Sequence, residues 1–175
     1  SRGAFVGLSA DVGRDALVRA VLEGLAFETA IESDAASLSG LVHDVFDAGI
    51  CVHCMRDLTR GGLAGGVVEI ARTAGVAIML DERDIPVCEE VRGACELLGF
   101  DPLHVANEGR CIFFTPANDA SRCLDRMKKH PMGKDSRIIG RVTGLQTPGY
   151  VRLTTTAGSV RIVEMIAGQQ LPRIC

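Results

Sequence analysis

Tryptophan is absent from this sequence of 175 residues, and tyrosine occurs once. Exposed aromatic rings are the usual stacking surfaces for bases, so a stacking platform is not expected. An excess of positive charge is also missing, because 19 lysines and arginines stand against 22 aspartates and glutamates. A nucleic-acid-binding domain normally carries a basic face. Nucleic acid is therefore not an expected partner.

Long hydrophobic runs are lacking as well, although 47% of the residues are hydrophobic. The apolar run VAIML, residues 76–80, is far shorter than the roughly 20 residues that a transmembrane helix needs. No signal peptide is visible at the start of the sequence. The composition therefore predicts a compact cytoplasmic protein with no membrane partner, built from one domain or from one domain and an arm.

The seven cysteines are an odd number, and no secretory signal favours disulfides. Cys51 and Cys54 form a C-x-x-C pair, but no second pair exists to complete a zinc site. In a strand, residues three apart point to opposite faces. We therefore predict no metal site. Six cysteines are predicted to be reduced packing residues: Cys51, Cys54, Cys88, Cys95, Cys111 and Cys123.

Helical and extended patterns alternate along the chain. Apolar residues at helical spacing predict four helices, at residues 38–49, 63–75, 88–99 and 118–130. Short apolar or alternating segments predict strands at residues 50–55, 76–81, 110–115, 137–142, 150–155 and 158–163. This alternation predicts an α/β (α+β) sandwich in which a mixed β-sheet packs against helices.

The two ends of the chain differ from its middle. RDALVRAVLEGLAFE, residues 14–28, has the spacing of an amphipathic helix, and a polar connector follows it. The last stretch, from residue 164, lacks sustained periodicity and is predicted to be a mobile tail. We therefore predict an N-terminal arm over residues 1–31, the main domain over 32–163 and a tail over 164–175 that carries Cys175.

The segment RDLTRGGL lies between a predicted strand and a predicted helix. Thr59 is placed to cap the helix, and Gly61 and Gly62 leave the first backbone amides uncovered. Free amides at a helix N-terminus attract phosphate. The segment lacks the G-K-[ST] of a P-loop. From spacing alone, a phosphate-facing turn and a capped turn with a solvated ion pair are equal alternatives.

Three charged residues of the same segment suit a phosphate ligand. Arg56 and Arg60 would add charge-assisted hydrogen bonds. Asp57 would hold a magnesium ion or orient an arginine. A second polar segment, VANEGR, leads into a predicted buried strand and contains Asn107 and Glu108. A carboxylate there can act as a general base, although by pattern alone such a segment is more often a turn.

Five segments together resemble one family of proteins. They are MRDLTRGGLAGGVVEIA, DERDIPVCEEVRGACELLGFDPLHVANEGR, HPMGKDSRIIGRV, PGYVRLTTTAGSVR and the terminal LPRIC. In this order they closely resemble the C-terminal half of hydrogenase maturation proteins of the HypE type, within the superfamily of aminoimidazole ribonucleotide (AIR) synthetases and selenophosphate synthetases. The resemblance covers about residues 24–175. It implies an α/β domain that closes over an ATP site.

The resemblance also implies what this chain lacks. Most of the site for ATP and Mg²⁺, and the homodimer interface, would belong to a preceding N-terminal domain, so the isolated chain is expected to be inactive. Leu58 stands where the family usually has proline, which implies a slightly less rigid turn. Residues 1–23 are instead similar to a segment near the C-terminal end of carbohydrate kinases of the FGGY type.

The resemblance implies a chemistry for the last residue. Cys175 would receive a carbamoyl group from the carbamoyltransferase HypF, and ATP would drive dehydration of the thiocarbamate to a thiocyanate. The HypC–HypD complex would then take the cyanide for the iron of [NiFe] hydrogenase. Glu108 matches the family's base, Asn107 would orient it, and Arg173 would steer the tail tip toward phosphates.

Two other functions stay open from the sequence. One is another ATP-using enzyme of the same superfamily, similar to selenophosphate synthetase, although such an enzyme would not need a terminal P-R-I-C. The other is a non-catalytic docking domain for the maturation partners.

Overall fold

The computed structural model describes residues 37–165, apart from the side chains of Glu90 and Glu108, and the backbone of two earlier strands. The described strands are β1 (Gly3–Phe5), β2 (Val18–Leu22), β3 (Cys54–Leu58), β4 (Val76–Asp81), β5 (Asn107–Thr115), β6 (Arg137–Leu145), β7 (Tyr150–Thr154) and β8 (Val160–Val163). The described α-helices are α1 (Ser39–Asp47), α2 (Gly62–Ala74), α3 (Glu89–Leu98) and α4 (Ala117–Lys129).

The eight strands form one mixed sheet in the order β3-β5-β1-β2-β6-β4-β7-β8. β4 pairs antiparallel with β6 and parallel with β7, and β7 and β8, at two of the predicted strands, form an antiparallel hairpin. The predicted mixed sheet packed against helices is confirmed.

Helices cover both faces of this sheet, and β5 shows how one strand serves both. Phe113 and Phe114 are adjacent and fully buried, and they join different hydrophobic clusters. Successive side chains of a strand point to opposite faces, which explains the separation. Leu63 of α2 belongs to the cluster that contains Phe114, whereas Met127 of α4 belongs to the cluster that contains Phe113.

Glycines end α2 and α3, as their positions in the sequence predict. Gly75 follows α2 with a φ of 63°, and Gly99 follows α3 with a φ of 71°. Both donate backbone hydrogen bonds to the last turn of their helix. Glycine adopts the left-handed conformation at little energetic cost, so a glycine just after a helix is a stop signal that the local sequence contains.

The N-terminal segment differs from its prediction. β2 lies inside residues 14–28, where the spacing predicted a helix, so that prediction is wrong for Val18–Leu22. β2 pairs antiparallel with β6, and the β-branched Val18 and Val21 suit an extended strand. Pairing within the sheet therefore overrides the local helical periodicity. The proposed boundary near residue 32 stays a prediction.

β3 begins later and runs further than predicted. It starts at Cys54 and continues through Leu58, although the sequence predicted a turn from Arg56 onward. In the β3–β5 pairing Arg56 lies opposite Ile112 and Asp57 opposite Cys111. The turn is therefore confined to residues 59–61.

The described cysteines divide into three classes. Three are buried as predicted: Cys95, Cys111 and Cys123. Cys51 is exposed, so its prediction as a core residue is wrong. It precedes β3, and its backbone N–H donates to the Asp119 carboxylate over 3.2 Å. Cys54 and Cys88 are half-buried and pack at the margins of hydrophobic clusters.

The described part of the chain shows neither a metal cluster nor a membrane-spanning helix. Within it, no group of three or more histidine, cysteine, aspartate or glutamate residues is arranged to hold a metal ion. Nor does any helix in the described ranges have the length and apolar character needed to cross a membrane.

Candidate functional site

The start of α2 packs directly against the turn that precedes β5. Gly61 and Gly62 have φ angles of 71° and 59°, in the left-handed region that favours glycine. A Cβ atom on Gly62 would lie 2.7 Å from the carbonyl oxygen of Leu103 and 2.5 Å from that of Val105. Only glycine fits this approach. The RDLTRGG and VANEGR segments, distant in the sequence, therefore meet in the fold.

No side chain in the described part of the protein caps the start of α2. The predicted cap, Thr59, instead donates its hydroxyl to the Asp57 carboxylate over 3.1 Å. The cap prediction is therefore wrong, because Gly61 and not Thr59 occupies the position before the helix, and the left-handed Gly61 and Gly62 separate Thr59 from its first turn. The first N–H groups of a helix have no partner within the helix. A helix end without a side-chain cap can bind an anion. Here residues 62–65 are buried, and the two residues before them are exposed.

Arg56 forms an ion pair with Glu69 of α2. Its Nη1 atom lies 2.6 Å from Oε2 of Glu69. Their hydrogen bond raises the pKa of Arg56 and lowers the pKa of Glu69. Asp57 is exposed and follows Arg56 in β3, so the two side chains leave opposite faces of the strand. Among the charged residues predicted to face phosphate, the exposed Arg60 lies nearest along the chain to the start of α2.

The VANEGR segment is an irregular strand start rather than the turn that its pattern favours. Leu58 pairs with Asn107, whereas Asp57 pairs with Cys111, so the register shifts between the two strands. Gly109 lies inside this step with a φ of 64°. A β-bulge of this kind re-aims the side chains around it. Glu108 lies within the bulge, although its side chain is outside the described part.

Asn107 holds the turn in front of this bulge. Its side chain is buried, and Nδ2 donates to the carbonyl oxygen of Val105 over 2.8 Å. The same carbonyl lies against Gly62. Asn107 therefore fixes the backbone next to Glu108 and links it to the start of α2, which is compatible with the predicted role of orienting the base.

Sequence reasoning missed a second polar group beside the same turn. Nη2 of Arg161, in β8, lies 2.6 Å from Oδ2 of Asp101. Nε2 of His104 lies 3.0 Å from the carbonyl oxygen of Glu164. Asp101 before Pro102 is a local sequence signal for the short turn Pro102–His104. The residues that bind Asp101 and His104 belong to a hairpin about 60 residues later in the sequence, and local patterns do not reveal them.

Two predicted residues lie outside the described part of the chain. They are Cys175 and Arg173. Their roles, and the catalytic role of Glu108, stay predictions.

Comparisons with known proteins place this chain in a family. A model of the family described as "AIR synthase related protein, C-terminal domain" matches residues 9–150. The chain is 46% identical to carbamoyl dehydratase HypE of Azotobacter vinelandii over 169 residues, which are 96% of this chain and 49% of that protein. It therefore spans about half the length of the curated relatives it matches.

Solved structures give the same result. The fold matches hydrogenase maturation protein HypE in complex with ATP with a TM-score of 0.78 and 33% identity, over 91% of this chain and 52% of that one. It matches a HypE–HypF complex with a TM-score of 0.73 and 35% identity, over 86% and 52%.

The similarity to HypE that the sequence motifs indicate is confirmed by these matches. The similarity of residues 1–23 to carbohydrate kinases gains no support, because the match to the A. vinelandii protein covers 96% of the chain and so extends into this segment. With the family match spanning most of the chain, this protein belongs to the AIR synthase related proteins and contains the C-terminal domain of that family.

Proposed function

We propose that this chain acts in hydrogenase maturation as the C-terminal half of a carbamoyl dehydratase. The observation that carries the proposal is the contact of Gly62 with Leu103 and Val105. It joins an uncapped helix start, suited to phosphate, to the strand start that contains Glu108. Relatives with 46% and 44% identity are named carbamoyl dehydratase HypE.

Cys175 would carry the reacting group. Its thiolate would take a carbamoyl group and form R–S–C(=O)–NH₂. An amide oxygen is a poor leaving group, so ATP would phosphorylate it, and the oxygen would depart on phosphate to give R–S–C≡N. Both N–H protons must leave the nitrogen. Glu108 would accept them one at a time as the general base, passing the first to water before the second leaves, while Asn107 holds its backbone.

The described residues fit one part of an ATP site. The uncapped start of α2 suits a phosphate group, and Arg60 would add positive charge, as would Arg173 from outside the described residues. Asp57 would supply one carboxylate ligand for Mg²⁺. Arg56 would act indirectly, because its pairing with Glu69 holds β3 against α2. The remaining contacts to ATP would come from a preceding domain like that of the longer relatives.

The proposed partners follow from the chemistry of the carrier. HypF would load the carbamoyl group, in keeping with the match to a HypE–HypF complex. The HypC–HypD complex would accept the cyanide for iron. The preceding domain would form a homodimer. The isolated chain is expected to hydrolyse no ATP, and measurable turnover by it would contradict this division between the halves.

The carrier role is tested with Cys175→Ser in a protein of the relatives' full length. After incubation with the carbamoyltransferase, carbamoyl phosphate and ATP, intact mass spectrometry should show one carbamoyl or cyano group on the wild type and none on the variant. Cys51→Ser is the matched control, because Cys51 is an exposed thiol in the described part. Label that persists in Cys175→Ser and disappears in Cys51→Ser would reject the carrier assignment.

The base is tested separately with Glu108→Gln. This variant should accept the carbamoyl group normally and then accumulate the thiocarbamate, because a neutral amide does not take up the released protons. Thiocyanate formation at the wild-type rate would exclude Glu108 as the base. Normal loading without dehydration in the wild type would favour a carrier or docking function instead.

A further inference from the structure

The chain leaves its last strand at a fixed point. β8 ends at Val163, and the carbonyl oxygen of the next residue, Glu164, lies 3.0 Å from Nε2 of His104. A carbonyl oxygen only accepts hydrogen bonds, so Nε2 of His104 carries the donated hydrogen. The last residue with a described position, Met165, also contacts α2, since its Sδ lies 3.9 Å from Nη1 of Arg72.

Asp101 joins β8 to the turn that contains His104. Its Oδ2 atom lies 2.6 Å from Nη2 of Arg161 in β8. Nδ1 of His104 lies 3.7 Å from the same oxygen, beyond hydrogen-bond distance, and has no hydrogen-bond partner among the described residues. The Oδ1 atom of Asp101 accepts the backbone N–H of Leu103 over 3.0 Å. The His104 side chain is 17% exposed, whereas that of Arg161 is 40% exposed and Glu164 is an exposed residue, so these contacts lie at the edge of the solvent. The end of the hairpin is thereby fastened to the turn before β5.

The same turn touches both predicted site segments. Leu103 and Val105, on either side of His104, are the residues whose carbonyl oxygens lie against Gly62. His104 precedes Glu108 by four residues, so at most about 14 Å of chain separates them. From Glu164 to Cys175 the chain contains eleven further residues, which span at most about 38 Å. The departure point is therefore within reach of the predicted base.

We propose that His104 is a positioning residue for the C-terminal arm. Together with Asp101 and Arg161, it sets where the segment after Glu164 leaves the domain, so that Cys175 can return to Glu108. The inference rests on the proposed function, because it assigns a purpose to the arm that carries Cys175. The inference predicts that His104, Asp101 and Arg161 affect the rate of dehydration and not the loading of the carbamoyl group.

The functional test compares His104→Leu with His104→Gln in a protein of the relatives' full length. The glutamine amide nitrogen can still donate to a carbonyl oxygen, whereas leucine cannot. Each variant is loaded by the carbamoyltransferase and then followed through one turnover with ATP. Loss of one hydrogen bond predicts dehydration roughly fivefold slower in His104→Leu, with loading unchanged and with most of the rate restored in His104→Gln.

A second measurement tests the contact of His104 with Glu164 without depending on catalysis. Hydrogen exchange of the peptide containing Glu164 and Met165 should be faster in His104→Leu than in the wild type and near wild type in His104→Gln. His43→Leu is the matched control, because His43 is exposed on α1. Arg161→Met removes the ion pair from the β8 side and should also speed exchange, which covers the case in which His104→Leu fails to fold.

The outcomes separate the two proposals. If the wild type dehydrates the thiocarbamate and His104→Leu does so at the same rate, the positioning role is wrong. Unchanged exchange in both His104→Leu and Arg161→Met would overturn it as well. If the wild type accepts the carbamoyl group and forms no thiocyanate, the proposed function fails, and the exchange measurement still decides whether His104 anchors the arm.

Discussion

α2 and α3 look alike in sequence and differ in how the fold uses them. Both are amphipathic, both contain internal glycine, and both end on a left-handed glycine. Nine of the 13 residues of α2 are buried, so its position is set on nearly every side. α3 contributes Val91 and Cys95 to a small cluster, while Leu97 is 89% exposed and Leu98 is 66% exposed.

The difference follows from what each helix adjoins. α2 presses its first residue against two backbone carbonyls and is paired to β3 through Glu69. Pockets open to solvent border both helices, so the difference lies in burial: α3 contributes only Val91 and Cys95 to its cluster. Close packing fixes position, and a helix with few buried apolar contacts opens more easily. We infer that α2 is the rigid side of the candidate site and α3 its more easily opened flank.

The largest effect expected from this comparison is that of Gly62→Ala. The new methyl would meet the carbonyl oxygens of Val105 and Leu103, and the positive φ disfavours alanine. Backbone atoms cannot swing aside as side chains do, so we expect a loss of more than about 3 kcal/mol in the free energy of unfolding, or a failure to fold. Urea denaturation measures it.

Gly93→Ala is the matched control in α3. A Cβ atom there would meet nothing within 4 Å, and alanine is the better helix former. The free energy of unfolding should rise by about 0.5–1 kcal/mol. A similar loss for both variants would show that the packing of α2 and α3 does not differ as described.

The second comparison makes one change at a leucine in each helix. Leu63 of α2 is 1% exposed and belongs to the main cluster, so Leu63→Ala should cost about 2–4 kcal/mol through lost burial and an added cavity. Leu97→Ala in α3 should change stability by less than about 0.5 kcal/mol, because the side chain is already in solvent. A large loss for Leu97→Ala would indicate a covering partner in solution.

The third comparison uses thiols as probes of opening. Burial, with the charge of Asp101 adding to it, raises the pKa of Cys95 in α3, and burial raises the pKa of Cys123 in α4 to about 12. Only thiolates react rapidly, so the exposed Cys51 should be labelled first at pH 8. If α3 opens locally, Cys95 should react at least about tenfold faster than Cys123, which needs wider unfolding. Mass-resolved iodoacetamide labelling gives the three rates.

The raised thiol pKa values also set the sign of a pH effect. Above about pH 9 an unfolded cysteine loses its proton, whereas folded Cys123 keeps it until about pH 12. The unfolded state then binds fewer protons than the folded state, so stability falls as the pH rises through this window. Cys123→Ala should weaken the fall. A slope that is unchanged in this variant would place its cause in other groups.

Local patterns predict much of this fold, and contacts between distant segments explain the rest. The glycine stops at Gly75 and Gly99 and the strand VAIMLD depend on neighbouring residues, and each appears as predicted. The extension of β3 depends on β5, and the exclusion of a side chain at Gly62 depends on a turn 40 residues away. The spacing of apolar residues within a segment does not specify which distant segment it will contact.

The candidate site divides in the same way. The residue types that suit phosphate and proton transfer are visible in RDLTRGG and VANEGR, but their contact is visible only in the fold. The contact of His104 with Glu164 joins residues 60 positions apart. A lone histidine near a loop carries no such information in its surroundings, which is why sequence reasoning did not single it out.

The smallest expected effect is at Thr59, where sequence and structure disagree about the start of α2. A capping threonine replaced by valine would cost about 1 kcal/mol or more, since a helix donor loses its acceptor. Thr59 instead donates to the exposed Asp57, so Thr59→Val should change the free energy of unfolding by less than about 0.5 kcal/mol in urea denaturation. A loss near 1 kcal/mol would show that Thr59 caps α2 in solution, and the start of α2 would then be less open to a phosphate group than its uncapped geometry indicates.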